Sequence, residues 1–423
     1  MQSFEELDTK TTPCSKTLNL RLHVYMLELW SLIPYYMARL CTSLREKDVR
    51  VTVGTVGYHL DRKFFRRGGI SLDPLLLDIG GGISSRLLRR IVKSLEYCLN
   101  LLFLSLRLLV SRPDLIHIQY LLFLELGIPL EIWFVRWVRF LRIPVVYTVH
   151  NVTRQDTGGK YDAVYQRTYN AADALICHGT EARNELIRKF GISEGRIWVI
   201  PHGPLFEKQT ELSQERAREK LGIPRDEVLV LNLGVISRYK GIPYLLDSWK
   251  HVQAKGLKCR LIIAGTGDPA LLSEIRDQVE KNGLSASVEL RLRFIAVDEL
   301  PLLYQCSDIL VYPYREGTTS GALLTGLSYE KPIVATRLPF FQENLREGET
   351  ALFVDYGDVE GLAHSLTDLI CDPQKRGSLA MNLVGQRQSR AEWANIAAAT
   401  LNCYRSLRDP SGSVEDRGLI GSR

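Results

Sequence analysis

A succession of short apolar runs without alternation, each separated from the next by a helical stretch, constrains this chain more than any other feature. The runs at 18–27 (LNLRLHVYML), 50–58 (RVTVGTVGY), 114–120 (DLIHIQY), 143–150 (IPVVYTVH), 172–179 (ADALICHG) and 196–203 (RIWVIPHG) read as strands. Between them lie segments such as 34–48 (PYYMARLCTSLREKD) with helical spacing. Strands that are apolar on both faces belong in a parallel sheet covered by helices on both sides, because a sheet with one wet face would alternate. The pattern restarts after a polar segment bounded by prolines, with strands at 227–235, 259–265, 288–294, 308–314, 332–336 and 351–356. The expected fold class is therefore α/β, as two tandem Rossmann-like doubly wound domains facing each other across a cleft.

The boundaries follow from changes in composition. Residues 1–17 form a polar, acidic N-terminal extension without the character of a secretory leader, and 18–203 the first domain. Residues 204–225 read as a linker with one short helix, 226–391 as the second domain, and 409–423 as a tail with too little apolar surface to order. With 45% hydrophobic and 24% charged residues, global disorder is excluded. The eight cysteines are scattered with no CxxC, which argues against a zinc site or a disulfide framework and suits a reducing, cytoplasmic compartment.

The net charge of +6 is unevenly spread, since residues 1–203 carry 27 Lys and Arg against 19 Asp and Glu. One cationic cluster is DRKFFRR at 61–67. Another is RLLRRIVK, which puts Arg86, Arg89, Arg90 and Lys93 on one helical face, ahead of the apolar run 99–110. That run is too short to span a bilayer, and the stretch 120–143 is broken by Glu125, Glu131, Arg136, Arg139 and Arg142, so no transmembrane span is expected. Two readings stay open: a helix packed in the core with a solvated basic face, or a peripheral contact with anionic lipid on the inner face of the cell membrane. No nucleic-acid partner is expected.

Ligands of open parallel sheets bind beyond the C-terminal strand ends, so the residues there are the candidates. Strand 227–235 ends in GVISRYKG, which supplies Gly234, Arg238 and Lys240. Strand 259–265 ends at Gly265 in a GTGDP loop. Strand 308–314 runs into REGTTSGALLTG, where Glu316, Thr318, Thr319, Ser320 and Gly321 precede or open a helix. Two cations beside hydroxyls and the free amides of a helix start make a cradle for a diphosphate, with Glu316 available to sugar hydroxyls. The plainer readings are a solvated turn for the cations and simple N-capping by Ser320.

The order GVISRYKG, LIIAGTG, LPLLYQCSDILVYPY, EGTTSGALLTGLSYEKPIVAT and FQENLREGETALFVDYGD resembles the retaining, nucleotide-sugar-dependent glycosyltransferases of family 4, also called group 1, which have the GT-B fold. The resemblance covers nearly the whole chain. It implies a nucleotide-diphosphate sugar held by the second domain and a glycan or lipid-linked acceptor held by the first, in polysaccharide or glycolipid synthesis. It also implies that cations do the work of a metal, so that neither metal nor cofactor is required. WANIAAATLNCY at 393–404 resembles the family's last helix, which returns to the first domain, in a segment placed at 392–408. His150 matches a histidine near the transferred sugar, with a satisfied strand-end histidine as the plainer reading. Glu343 matches a family acidic position. The sequence departs from the family in two places. Val235 stands where an arginine is usual, and Thr325 where a glutamate commonly holds the ribose. These departures keep a non-catalytic nucleotide-sugar-binding homologue or complex subunit in view, and the shared architecture does the same for a nucleotide-sugar 2-epimerase.

Overall fold

The inner strands are buried on both faces, which is why they do not alternate. In a computed structural model that describes residues 21–56, 65, 68–74, 76–79, 83, 85–154, 157–206, 208, 212–385 and 392–408, they build two parallel sheets. The extension 1–17, the tail 409–423 and, apart from Phe65, the cluster 61–67 lie outside the described residues.

The first sheet contains β1 (His23–Leu27), β2 (Arg50–Gly54), β3 (Ser71–Leu72), β4 (Leu115–Ile118), β5 (Val145–Val149), β6 (Ala174–Cys177) and β7 (Ile197–Val199), in the order β3-β2-β1-β4-β5-β6-β7. β3 pairs with β2 through Thr52–Ser71 and Val53–Leu72, and two residues are too short to leave a periodic signal in the sequence. The second sheet contains β8 (Val228–Leu233), β9 (Cys259–Ala264), β10 (Val288–Arg291), β11 (Ile309–Tyr312), β12 (Ile333–Thr336) and β13 (Ala351–Val354), in the order β10-β9-β8-β11-β12-β13. The strand order reverses between β1 and β4 in one sheet and between β8 and β11 in the other, which opens a crevice at each place.

The helix Arg86–Arg107 is apolar on its outer face as well as its inner one. Its buried side carries Glu96 and Asn100 along with Tyr97, Leu101 and Leu104. Glu96 accepts from the Ile79 amide (2.7 Å), while Asn100 accepts from Leu77 N (2.8 Å) and donates to Leu77 O (3.0 Å). These polar side chains satisfy a loop that would otherwise strand backbone groups. Leu102, Phe103, Leu106, Leu109 and Val110, from the apolar run 99–110, face solvent.

Within the segment 204–225, the helix Gln214–Leu221 is held to the second sheet by Arg218. Its buried guanidinium donates to the carbonyls of Cys306, Pro224, Arg225 and Glu227 and pairs with Asp308 at 2.5 Å. The last helix, Trp393–Arg408, returns to the first domain and packs with Met26, Tyr36 and Ile176. Trp393 stacks edge-on against Tyr36, and its indole N–H donates to Pro204 O at 2.8 Å. Trp393→Ala should therefore lower the unfolding free energy by about 3 kcal/mol or more in a urea titration, since a large buried ring and its hydrogen bond are lost together.

Candidate active site

After β8, Gly234 takes φ +145, a backbone conformation that side chains rarely adopt. A Cβ there would lie 2.9 Å from the Lys240 ammonium. A Cβ on Gly265, after β9, would come to 1.9 Å of Gly234 O, so these two strand exits meet backbone to backbone. The chain then turns through a short 3₁₀ segment, Arg238–Lys240, into the helix Ile242–Gln253.

This turn sends its two cations to different places. Arg238 is exposed and makes a bidentate pair with Glu274 (2.7 and 3.0 Å). Lys240 is half-buried, with its ammonium 5.2 Å from the centre of the Tyr314 ring beyond β11, and no carboxylate pairs with it among the described residues. Burial pulls its pKa below the ordinary lysine value. The loop after β11 closes against the same turn, with the Arg315 amide donating to Tyr239 O (2.6 Å). Ala322, in the first turn of the helix Gly321–Leu327, approaches the Gly234 position. The strand-exit pair and the helix start thus lie side by side at the reversal between β8 and β11.

The hydroxyls of this loop divide in the same way. Ser320 caps the helix, accepting from Leu323 N at 3.2 Å, and lies 3.2 Å from the Tyr314 hydroxyl. Thr319 Oγ1 is buried with no hydrogen-bond partner among the described residues, Thr318 is half-buried, and Glu316 pairs with its neighbour Arg315. Thr325 is 2% exposed and accepts from Leu205 N (3.3 Å), so it faces the segment joining the domains. Val235 is 61% exposed. Glu343 reaches across the cleft: its carboxylate accepts from the Glu181 amide (3.1 Å) at the start of the helix Thr180–Phe190, and burial raises its pKa.

The opposite wall is made at the C-terminal ends of β4 to β7, which bring four histidines together, His117 from within β4 and His150, His178 and His202 from the segments after β5, β6 and β7. His150 Nδ1 lies 3.2 Å from His178 Nε2, and His150 Nε2 lies 3.1 Å from Gln119 Oε1. His178 Nδ1 donates to Ile200 O (3.0 Å), and His117 bridges Tyr404 OH (2.6 Å) and Thr148 Oγ1 (2.7 Å). Tyr36 packs its ring 4.8 Å from both His150 and His202. A Cβ on Gly321 would meet Leu205 at 3.1 Å and His202 at 3.7 Å, so the helix start of one domain touches the histidine cluster of the other.

The proton count in this cluster is constrained. His178 spends its Nδ1–H on a carbonyl, so a neutral His178 presents only a lone pair to His150, which must donate from Nδ1. A neutral His150 then has an acceptor at Nε2, opposite the Gln119 carbonyl oxygen. Either the imidazole pair carries one extra proton or the Gln119 amide is turned over. Burial favours the neutral rings, pushing His117 and His202 down to about 3 and His178 to about 4, and it places His150 well below its ordinary value.

Gln119, His178 and His202 sit at strand exits as His150 does, so the strand-end rule already contained their signal; nothing in the sequence singles out Tyr404. Glu28, at the exit of β1, also escaped the sequence reading. It is fully buried, accepts from Trp30 N (3.1 Å), and burial pushes its carboxyl up to about 8.

A histidine whose folded pKa is depressed contributes stability above its unfolded pKa, near 6.5, and loses it progressively as pH falls towards the folded value. His178→Gln removes that dependence. The stability advantage of the wild type over this variant should shrink by about 1.4 kcal/mol per pH unit between roughly pH 6.5 and 4, measured by denaturant titration across that range.

Two family models match the chain, one described as Glycosyltransferase Family 4 over residues 33–204 and one described as Glycosyl transferases group 1 over residues 227–372. The chain is 27% identical over 324 residues to the D-inositol 3-phosphate glycosyltransferase of Corynebacterium urealyticum, covering 71% of this chain and 76% of that one. With the enzyme of the same name from Corynebacterium glutamicum it shares 26% over 313 residues, 69% of this chain and 72% of that one. Among solved structures it is similar to HepE of Anabaena in complex with UDP and glucose (TM-score 0.70, 17% identity, 91% of this chain and 100% of that one). It is also similar to sucrose-phosphate synthase of Thermosynechococcus elongatus (TM-score 0.71, 18% identity, 92% and 100%). With the two matched domains lying over the two sheets and their exits meeting at one cleft, the chain belongs to the family 4, group 1 glycosyltransferases and is a transferase enzyme of the GT-B fold.

Proposed function

We propose that this enzyme transfers a sugar, with retention, from a nucleotide-diphosphate sugar held at the exits of β8 and β11 to a glycan or lipid-linked acceptor held by the first domain. The observation that carries this reading is Lys240, a desolvated ammonium without a carboxylate partner among the described residues, placed at the strand-order reversal. A charge withdrawn from water needs an opposite charge, and a diphosphate supplies one. The Thr319 hydroxyl, buried without a partner among the described residues in the loop after β11, is a donor of the kind a phosphate oxygen would take.

Breaking the anomeric bond moves negative charge onto the departing diphosphate, and Lys240 stabilises that charge as it develops, with no metal required. Attack on the same face, through a short-lived oxocarbenium-like pair, accounts for retention without a carboxylate nucleophile. His150, with both ring nitrogens engaged, shapes the sugar pocket as part of the histidine cluster. The acceptor side is the basic domain, which suits a phosphorylated or lipid-linked substrate in polysaccharide or glycolipid synthesis, with the enzyme working peripherally at the inner face of the membrane. Relatives named for D-inositol 3-phosphate support an anionic acceptor. No helix of the described residues is long and apolar enough to cross a membrane.

The test is release of nucleoside diphosphate from a panel of nucleotide-diphosphate sugars, with and without acceptor, and product anomeric configuration by NMR. Acceptor-dependent release with retention is expected; epimerisation of the donor without acceptor would overturn the reading. Lys240→Ala should cut kcat by about 100-fold, equivalent to about 3 kcal/mol of transition-state stabilisation. Arg238→Ala should cost clearly less, because that guanidinium is already committed to Glu274.

A further inference from the structure

Helices of soluble domains keep their outer face polar, whereas Arg86–Arg107, which buries Tyr97, Leu101 and Leu104, carries a second apolar stripe outward. Leu88, Ile91, Leu95, Leu99, Leu102 and Leu106 recur at spacings of three and four residues and are 41–59% exposed, forming one continuous outer stripe. At 22 residues the helix is about 33 Å long, so the stripe is far larger than the scattered apolar residues of an ordinary surface. Its C-terminal half borders a groove of about 680 Å³ against the helix Leu130–Phe140, in which Trp133 and the 76% exposed Phe140 stand open.

Charge decides what covers this face. The only carboxylates on the two helices, Glu96 and Glu131, are turned inward and hydrogen-bonded, Glu96 to the Ile79 amide and Glu131 to Tyr97 OH and Phe123 N. Arg136 and Arg167 are exposed at the groove, whereas Arg89, Arg90 and Lys93 continue the inward line of Tyr97, Asn100 and Leu101 on the other side of the helix. A second copy of the chain would set like charges against each other across a two-fold axis, whereas an anionic bilayer answers both the leucines and the cations.

We propose that this face is a membrane-docking surface: the helix Arg86–Arg107 lies in the plane of an anionic bilayer, its leucines enter the acyl boundary, and the groove beside Trp133 takes a lipid chain whose headgroup meets Arg136 and Arg167. The surface belongs to the acceptor-binding domain, and in this respect the inference rests on the reading of a membrane-presented acceptor. Its test needs neither donor nor acceptor, so it fails or stands apart from the transfer reaction.

The full chain is mixed with vesicles of phosphatidylglycerol and phosphatidylcholine, or of phosphatidylcholine alone, and the bound fraction is read by flotation. The wild type should bind the anionic vesicles at least ten-fold more tightly than the neutral ones, with a blue shift of tryptophan emission. Leu95→Glu with Phe103→Glu should weaken binding at least ten-fold, and so should Arg136→Glu with Arg167→Glu. All four side chains are solvent-facing, and an unchanged thermal midpoint confirms that the variants fold. Absent binding, equal binding to neutral vesicles, or unaltered binding by both folded variants overturns the proposal. So does a wild-type dimer in sedimentation that the Leu95 and Phe103 changes convert to monomer without any vesicle binding.

Discussion

Burying both faces of the inner strands of both sheets removes nearly every mid-strand side chain from contact with ligand. What remains is the set of strand exits, and parallel pairing puts all of a sheet's exits along one edge. Chemistry in this molecule is therefore confined to two rows of loops. The reversals of strand order between β1 and β4 and between β8 and β11 are where those rows part to leave room. The meeting of Gly321 with His202 joins the two rows, and it places the helix start of one domain two ring spacings from His150.

Within that cleft the two cations of GVISRYKG are not equivalent. Arg238 has its carboxylate and its water, so a ligand would have to compete for it. Lys240 has given up part of its water for an aromatic face and the end of a strand. An ammonium in that position is costly until an anion arrives, and interactions made only as charge develops are the ones that accelerate a reaction. The same division separates Ser320, spent on its own helix, from Thr319, whose hydroxyl is buried and unspent.

The strands were legible because double burial leaves an unalternating apolar run, but their order in each sheet, and with it the two reversal points, was not. β3 was not legible, since two residues cannot carry a period. The helix Arg86–Arg107 was visible as a helix, but its direction of burial was not: a pattern of leucines reads as a core stripe, and only the loop amides at 77 and 79 explain why Glu96 and Asn100 point inward. The separation of Arg238 from Lys240 depends on Glu274, 36 residues further on, and no local pattern carries that information. Thr325 lies where a ribose contact was sought, yet its hydroxyl serves the Leu205 amide, a pairing across 120 residues.

Glu343 holds the amide end of the helix Thr180–Phe190 from the other domain, so the two lobes share one helix cap. Swinging apart would strip a carboxylate from its amides and leave the positive end of a helix dipole uncompensated. Hinge angle and helix capping are then a single variable, and proton uptake by one glutamate, whose partial burial already favours it, slackens the joint between the lobes.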